Sequence, residues 1–534
     1  MIVFRHVGSR VIIQFSSILR VLMTLLFCTT STVSGADTFT FSNASGPYAV
    51  GVKVVQQYDR SRLYKMPVHL YTGEPTTGER VRPIQTIVWY PAEQGGKRQT
   101  FRDYMETIPT EDDFARSSAD SKRLTQALID GFPKERRVAM LQDISRSMLA
   151  VRDAREKNGR FPVVIYAPSL SASAVENADM CEYLASHGYL VLSSPSLGEH
   201  SHTPTMNIEG VEPQANDISY LIGYASSYTQ ADMTKVAVVG FSWGGLSNVV
   251  AAAKDARIKA LVNLEGSLRY FPELIDGGKD AAKYVTPAKV AVPMLYLSRR
   301  LSTIESLSRD EVDTRYSFMN QMKYSDVYIV SFMPLQHGDF SSYNQRMAQD
   351  DNFTEYSRDE VAQAYSLAAR YTRHFLDAYL KNDAAGLAFI NNTPAGNKVP
   401  AHMLAVDIRR SKTTNPPSRE NFVKQLAADG FVNASALYDQ YRGRGASFKF
   451  DQNEIIDWAG HLEQLNRTAQ AREVYRLGTH VDGKWLSAWF GLAGMQLKTG
   501  QRKEAAQSYR RILDIEPGSV YAKKQLSELG LVTD

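Results

Sequence analysis

Ser242 stands in Val236-Ala237-Val238-Val239-Gly240-Phe241-Ser242-Trp243-Gly244-Gly245, a Gly-x-Ser-x-Gly motif. An apolar run feeds into it, and the Ala-rich stretch 246–253 continues as a helical pattern. Strand, sharp turn, helix is the nucleophile elbow, which projects a serine hydroxyl from its tip. The glycines serve a strained turn whose neighbouring backbones pass closely. The helix N-terminus behind the serine favours developing negative charge.

A serine hydroxyl needs a base to take its proton. In a strand–helix alternation of this kind the base is expected after the last strand, and the segment 327–332 is followed by Met333-Pro334-Leu335-Gln336-His337-Gly338-Asp339-Phe340. His337 is therefore the candidate base. His200 and His202 follow the strand segment 189–193, so they lie at the same edge and could line a site, but they precede the serine in the chain. His187 reads as a helix C-terminal cap. Two carboxylates compete to orient the imidazole. Glu265 ends the segment 260–264, and Glu305 lies beyond the next strand. Glu265 is favoured because a strand end gives a short, rigid placement.

The elements that must position these groups follow from apolar patterning. Segments 48–55 and 84–90 read as two early strands, possibly antiparallel. Segments 162–167, 189–193, 236–240, 260–264, 293–297 and 327–332 are dense in Val, Ile, Leu and Tyr, as strands buried on both faces are. Helical stretches separate most of them. The fold class is therefore α/β, a mostly parallel sheet with helices on both faces. Residues 101–159 break the rhythm and read as a helical insertion, either near the substrate entrance or as a surface excursion with no role in binding. Residues 385–445 are rich in Pro, Asn and Gly and read as a linker, with one helix at 419–430.

The chain has 534 residues, 43% hydrophobic and 22% charged, with a formal net charge of +4. That length suits two or three domains. Lys and Arg are interspersed with Asp and Glu, so nothing suggests a nucleic-acid binder. Arg5, Arg10 and Arg20, the short apolar run 21–28 and the small residues Ser34-Gly35-Ala36 form the three-part pattern of a secretory signal, removed ahead of Asp37. Residues 37–384 would then form the first domain, in a periplasmic or secreted protein with no stable membrane span. Cys28 and Cys181 are the only cysteines, so the processed chain has no partner for Cys181, which reads as a buried apolar residue. No metal-ligand spacing or dinucleotide fingerprint is present, and no cofactor is expected.

From residue 446 the pattern is helical and repeats. Ala471 and Ala505 are 34 residues apart, as are Tyr475 and Tyr509, and Trp458 and Leu492. With Trp489, Gly500 and Pro517 this resembles the tetratricopeptide repeat, a helix–turn–helix unit of that period. The resemblance implies an all-α module at 446–534 with a possible protein partner.

The first domain resembles the platelet-activating-factor acetylhydrolases and the bacterial hydrolases described as dienelactone hydrolase-like. The resemblance rests on Gly46-Pro47-Tyr48-Ala49-Val50-Gly51, Val88-Trp89-Tyr90-Pro91-Ala92, Leu184-Ala185-Ser186-His187-Gly188-Tyr189, the elbow, Leu264-Glu265-Gly266, and Gln336-His337-Gly338-Asp339-Phe340. It implies an α/β-hydrolase fold and a serine esterase acting on small-molecule or lipid-like esters with short acyl chains. It places the acid at Glu265, where the family usually has aspartate. It implies an oxyanion hole from the backbone N–H groups of Leu170 and Trp243. The family's His-Gly-rich oxyanion loop is replaced by Pro168-Ser169-Leu170-Ser171. True dienelactone hydrolases use cysteine as nucleophile, where this chain has Ser242. Two other readings use the same residues: a catalytically retired hydrolase fold serving as a scaffold through its repeats, and a serine peptidase.

Overall fold

The structure is a computed structural model that describes residues 38–69, 72–269, 285–300, 318–412, 416–445 and 448–530. The expected export signal and the alternative acid Glu305 lie outside these residues.

The strands are β1 (Ala49–Leu63), β2 (Val81–Ala92), β3 (Arg98–Thr100), β4 (Ser147–Arg152), β5 (Phe161–Ala167), β6 (Leu190–Ser193), β7 (Ala231–Phe241), β8 (Ile258–Leu264), β9 (Met294–Arg299), β10 (Val327–Phe332) and β11 (Leu404–Arg409). They form one sheet in the order β11-β10-β9-β8-β7-β5-β6-β2-β1-β4-β3. From β6 through β5, β7, β8 and β9 to β10 every pairing is parallel. β2 joins β6 antiparallel, and β1 joins β2 antiparallel as expected. With the helices that cover it, this is the α/β-hydrolase fold.

The central strands are buried on both faces, and alternate residues feed two cores. Val164 and Tyr166 of β5 and Ala237 and Val239 of β7 point into a core shared with helices Ala178–Ser186 and Arg358–Leu380. Val163, Ile165, Val236 and Val238 point into the opposite core, with helices Ile208–Ala225 and Trp243–Lys254. Each Val and Ile among them contributes about 1.5–3 kcal/mol of burial. This two-sided burial is why the strands read as continuous apolar runs.

Two regions differ from expectation. Residues 101–159 do hold helices, at Phe101–Met105, Ser118–Asp130 and Arg137–Ile144, but also β4, which pairs parallel with β1. The stretch 385–445 is more ordered than a linker. It carries β11, which pairs antiparallel with β10 along its length, and helices Arg419–Ala428 and Ala434–Arg444.

The C-terminal region is helical. Helices Gln452–Gln464 and Leu486–Lys498 begin 34 residues apart, as do Thr468–Val481 and Arg502–Ile515, and Val520–Glu528 follows. Ala471 and Ala505 are fully buried, and Tyr475 packs its ring over the Cα of Gly491. Just ahead of this region, Lys323 in the loop before β10 donates from Nζ to the Arg444 carbonyl at 3.3 Å, at the end of helix Ala434–Arg444.

Candidate active site

The elbow is built by close backbone approach. A Cβ on Gly240 would stand 2.2 Å from the Gly244 carbonyl oxygen, and one on Gly244 would stand 2.0 Å from that of Ala167. One on Gly245 would stand 2.5 Å from the Gly266 Cα. Side chains cannot occupy these positions, so the motif's glycines let β7 turn into its helix against the ends of β5 and β8. Ser242 sits at the turn with φ 50° and ψ −113°, a conformation that costs energy for a side-chain-bearing residue. Main-chain bonds hold it there: Ser242 N donates to Leu264 O at 3.0 Å and Ser267 N donates to Ser242 O at 2.8 Å.

The same device places Glu265. It also has positive φ, 44°, and its N–H donates to the Leu297 carbonyl at 2.7 Å. Its carboxylate is fully buried and accepts from the Arg299 N–H at 2.7 Å. The Arg299 guanidinium Nε lies 3.5 Å from the other oxygen. Ser242 and Glu265 thus stand on adjacent strand ends, β7 and β8, and Arg299 at the end of β9 braces the carboxylate.

His337 opens a short 3-10 turn, His337–Phe340, beyond β10. Its Nε2 lies 2.9 Å from Ser242 Oγ. The ring packs on Phe241, with centroids 5.4 Å apart. Burial holds the imidazole below its ordinary pKa, Glu265 opposes that shift and Arg299 reinforces it. A neutral ring facing a serine hydroxyl is the form that can accept its proton. Asp339 accepts from the Gln336 N–H at 2.7 Å, and burial pushes its carboxyl up to about 6.

Trp243 begins the helix behind Ser242, and Leu170 lies half-buried in the turn after β5. The approach of Gly244 to Ala167 and Pro168 brings these two backbones together. Of the other histidines, His202 donates from Nε2 to the Ser171 carbonyl at 3.3 Å and borders the turn. His200 meets the Tyr64 carbonyl through Nδ1 at 3.2 Å, and His187 caps its helix. Cys181 is buried, and burial raises its thiol. Among the described residues no group of three or more His, Cys, Asp and Glu is placed to hold a metal ion, and no helix is long and apolar enough to cross a membrane.

Arg299 was not among the sequence candidates. The apolar run marking its strand ends at Leu297, and only the fold shows that Arg299, two residues on, reaches Glu265. Asn177 is another such residue: its side chain accepts from the Ser342 N–H at 2.8 Å and donates to the Phe340 carbonyl at 3.0 Å, fixing the segment after His337.

Residues 149–276 match the model of the dienelactone hydrolase family. The match runs from β4 through the elbow to just beyond Glu265. Among solved structures the chain is similar to a ferulic acid esterase from Streptomyces cinnamoneus, at 18% identity and a TM-score of 0.48, over 69% of this chain and 99% of that one. No curated protein matches in sequence.

Proposed function

We propose that the chain is an exported serine hydrolase that cleaves carboxylic esters through an acyl-enzyme. The observation that carries this reading is the 2.9 Å approach of His337 Nε2 to Ser242 Oγ at the tip of a strained elbow, with the Glu265 charge beside the imidazole. The match of residues 149–276 to a hydrolase family supports it.

In this mechanism Ser242 Oγ attacks the ester carbonyl as its proton passes to His337 Nε2. Glu265 holds the ring's orientation and stabilises the imidazolium. Backbone N–H groups of Leu170 and Trp243 receive the oxyanion, where preorganised donors contribute most. The tetrahedral intermediate collapses, and His337 gives its proton to the leaving alcohol. Water then attacks the acyl-serine by the same route and frees the acid and Ser242.

The substrate class is a small-molecule or lipid-like ester with a short acyl chain. Export rests on the basic, apolar and small-residue pattern of residues 1–36. The helix pairs spaced by 34 residues support a tetratricopeptide-like module with a protein partner.

The test is labelling with a fluorophosphonate probe. Wild type should label and Ser242→Ala should not; folded wild type that fails to label would end the reading in favour of a scaffold. A series of p-nitrophenyl esters set beside peptide anilides then reads the substrate: acetyl and butyryl esters should turn over fastest, and faster cleavage of anilides would make it a peptidase.

A further inference from the structure

The turn after β5 bears the Leu170 donor of the proposed oxyanion hole, yet none of Pro168, Ser169, Leu170, Ser171, Ala172, Ser173 and Ala174 is glycine. The backbone still makes a glycine-like excursion, since Ser171 has φ 57°. A left-handed residue in such a turn sends successive amide N–H groups to one side, an arrangement suited to an anion. Something must compensate its cost.

Two buried carboxyls, neither used in the mechanism, grip the two ends of this turn. Glu176 accepts from the Ser169 N–H at 2.9 Å and from Ser169 Oγ at 2.5 Å, and the Tyr166 hydroxyl donates to it at 3.0 Å. Glu111, from the insertion between β3 and β4, accepts from Ser173 Oγ at 2.6 Å and from the Ala174 N–H at 2.9 Å. Between them Gln214 donates to the Pro168 carbonyl at 2.8 Å and Ser196 N donates to the Ala172 carbonyl at 2.9 Å. These contacts commit the Ser169 and Ala174 amides. Among the described residues the Leu170 N–H has no acceptor.

Glu176 also reaches the other half of the site. Its own carbonyl accepts from the Tyr343 N–H at 3.0 Å and from Ser341 Oγ at 3.3 Å, just beyond the His337 turn. One residue therefore ties the donor turn to the base-bearing segment.

We infer that Glu176 is a positioning residue that holds the Leu170 N–H on the oxyanion, with Glu111 of the insertion as a second anchor, so that two buried carboxyls do here what glycine geometry does elsewhere. The inference rests on the esterase reading for its kinetic consequence, and on the hydrogen bonds alone for its structural one. In Glu176→Gln the amide oxygen can keep the Ser169 N–H while the amide N–H donates to Ser169 Oγ, so a neutral, reversed bond replaces the one to the carboxyl and the grip weakens.

The experiment pairs kinetics with hydrogen–deuterium exchange in Glu176→Gln and the milder Ser169→Ala. Glu176→Gln should lower kcat about tenfold, less than the loss of a whole oxyanion donor, with KM within about threefold. The inhibition constant of a trifluoromethyl ketone should rise in proportion to the fall in kcat/KM, which a general loss of folding would not produce. Ser169→Ala should lower kcat about fivefold. In both variants the amides of residues 169–175 should exchange faster, while the helix Trp243–Lys254 stays protected. Unchanged kcat with unchanged exchange in folded Ser169→Ala and Glu176→Gln would overturn the inference. If wild type proves inactive, the exchange result still decides the clamp, and Ser242 labelling separately decides the esterase reading.

Discussion

The turn around Ser242 and the helices after residue 451 both depend on small residues, in opposite ways. At the elbow, Gly240, Gly244 and Gly245 face other main chain at 2.0–2.5 Å from where a Cβ would lie, so nothing nearby can yield. In the C-terminal helices a Cβ on Gly478 would meet Ile455 and Ala488 side-chain atoms at 2.8 and 2.9 Å, and Gly460 and Gly494 face open space. The first region stores strain around one hydroxyl. The second packs its close glycines against side chains and leaves others on open faces. The candidate site thus sits where an added side chain meets main chain, and the helical region has positions where it would meet nothing.

The largest expected effect tests whether the strained turn serves chemistry. Ser242→Ala should lower esterase kcat by at least about 10⁴-fold with thermal stability unchanged. A stable variant retaining a tenth of the activity would break the contrast. Glu265→Gln should lower kcat by about 10³–10⁴-fold, because the imidazole loses its orienting charge, and the loss should appear in kcat more than in KM. Gly244→Ala should destabilise the protein by about 3–5 kcal/mol, since the new Cβ meets only main chain; urea unfolding followed by tryptophan fluorescence measures it. Gly494→Ala, inside a helix facing open space, should instead stabilise by about 0.5–1 kcal/mol. A stabilising Gly244→Ala or a strongly destabilising Gly494→Ala would reverse the comparison. The smallest effect is electrostatic. His337 must be neutral to act, and its pKa lies below the ordinary 6.5. Activity should therefore persist as pH falls to 6.5 and fail only beneath it. Arg299→Gln removes a cation that depresses the ring, so the acid limb of kcat/KM should move up, toward 6.5.

Most of the sheet was readable because its central strands are apolar on both faces, a signal that needs no tertiary context. Ser242 and His337, which the fold brings to 2.9 Å, were readable because each follows such a strand in a turn with distinctive residues. The edges were not. β4 buries only Met148 and Ala150 strongly, inside a charged stretch of helical composition. β11 alternates Leu404, Val406 and Ile408 with Ala405, Asp407 and Arg409 among prolines and asparagines, as an edge strand half-exposed to water does. The supporting residues were hidden for another reason. Glu176 and Glu111 look like ordinary acidic residues near helix ends, and Arg299 like a solvated cation. Their partners are distant in sequence, so no local pattern marks them.

β11 has a consequence for how the molecule is made. The strand that seals β10, and so shields the support beneath the imidazole, arrives only after the long helix Arg358–Leu380 has been synthesised. A nascent or proteolysed chain ending near residue 384 would carry a ribbon of unsatisfied amides and carbonyls beside its most delicate parts. Such a fragment invites strand exchange with its own copies. Its failure would be one of solubility, well before any lapse in chemistry.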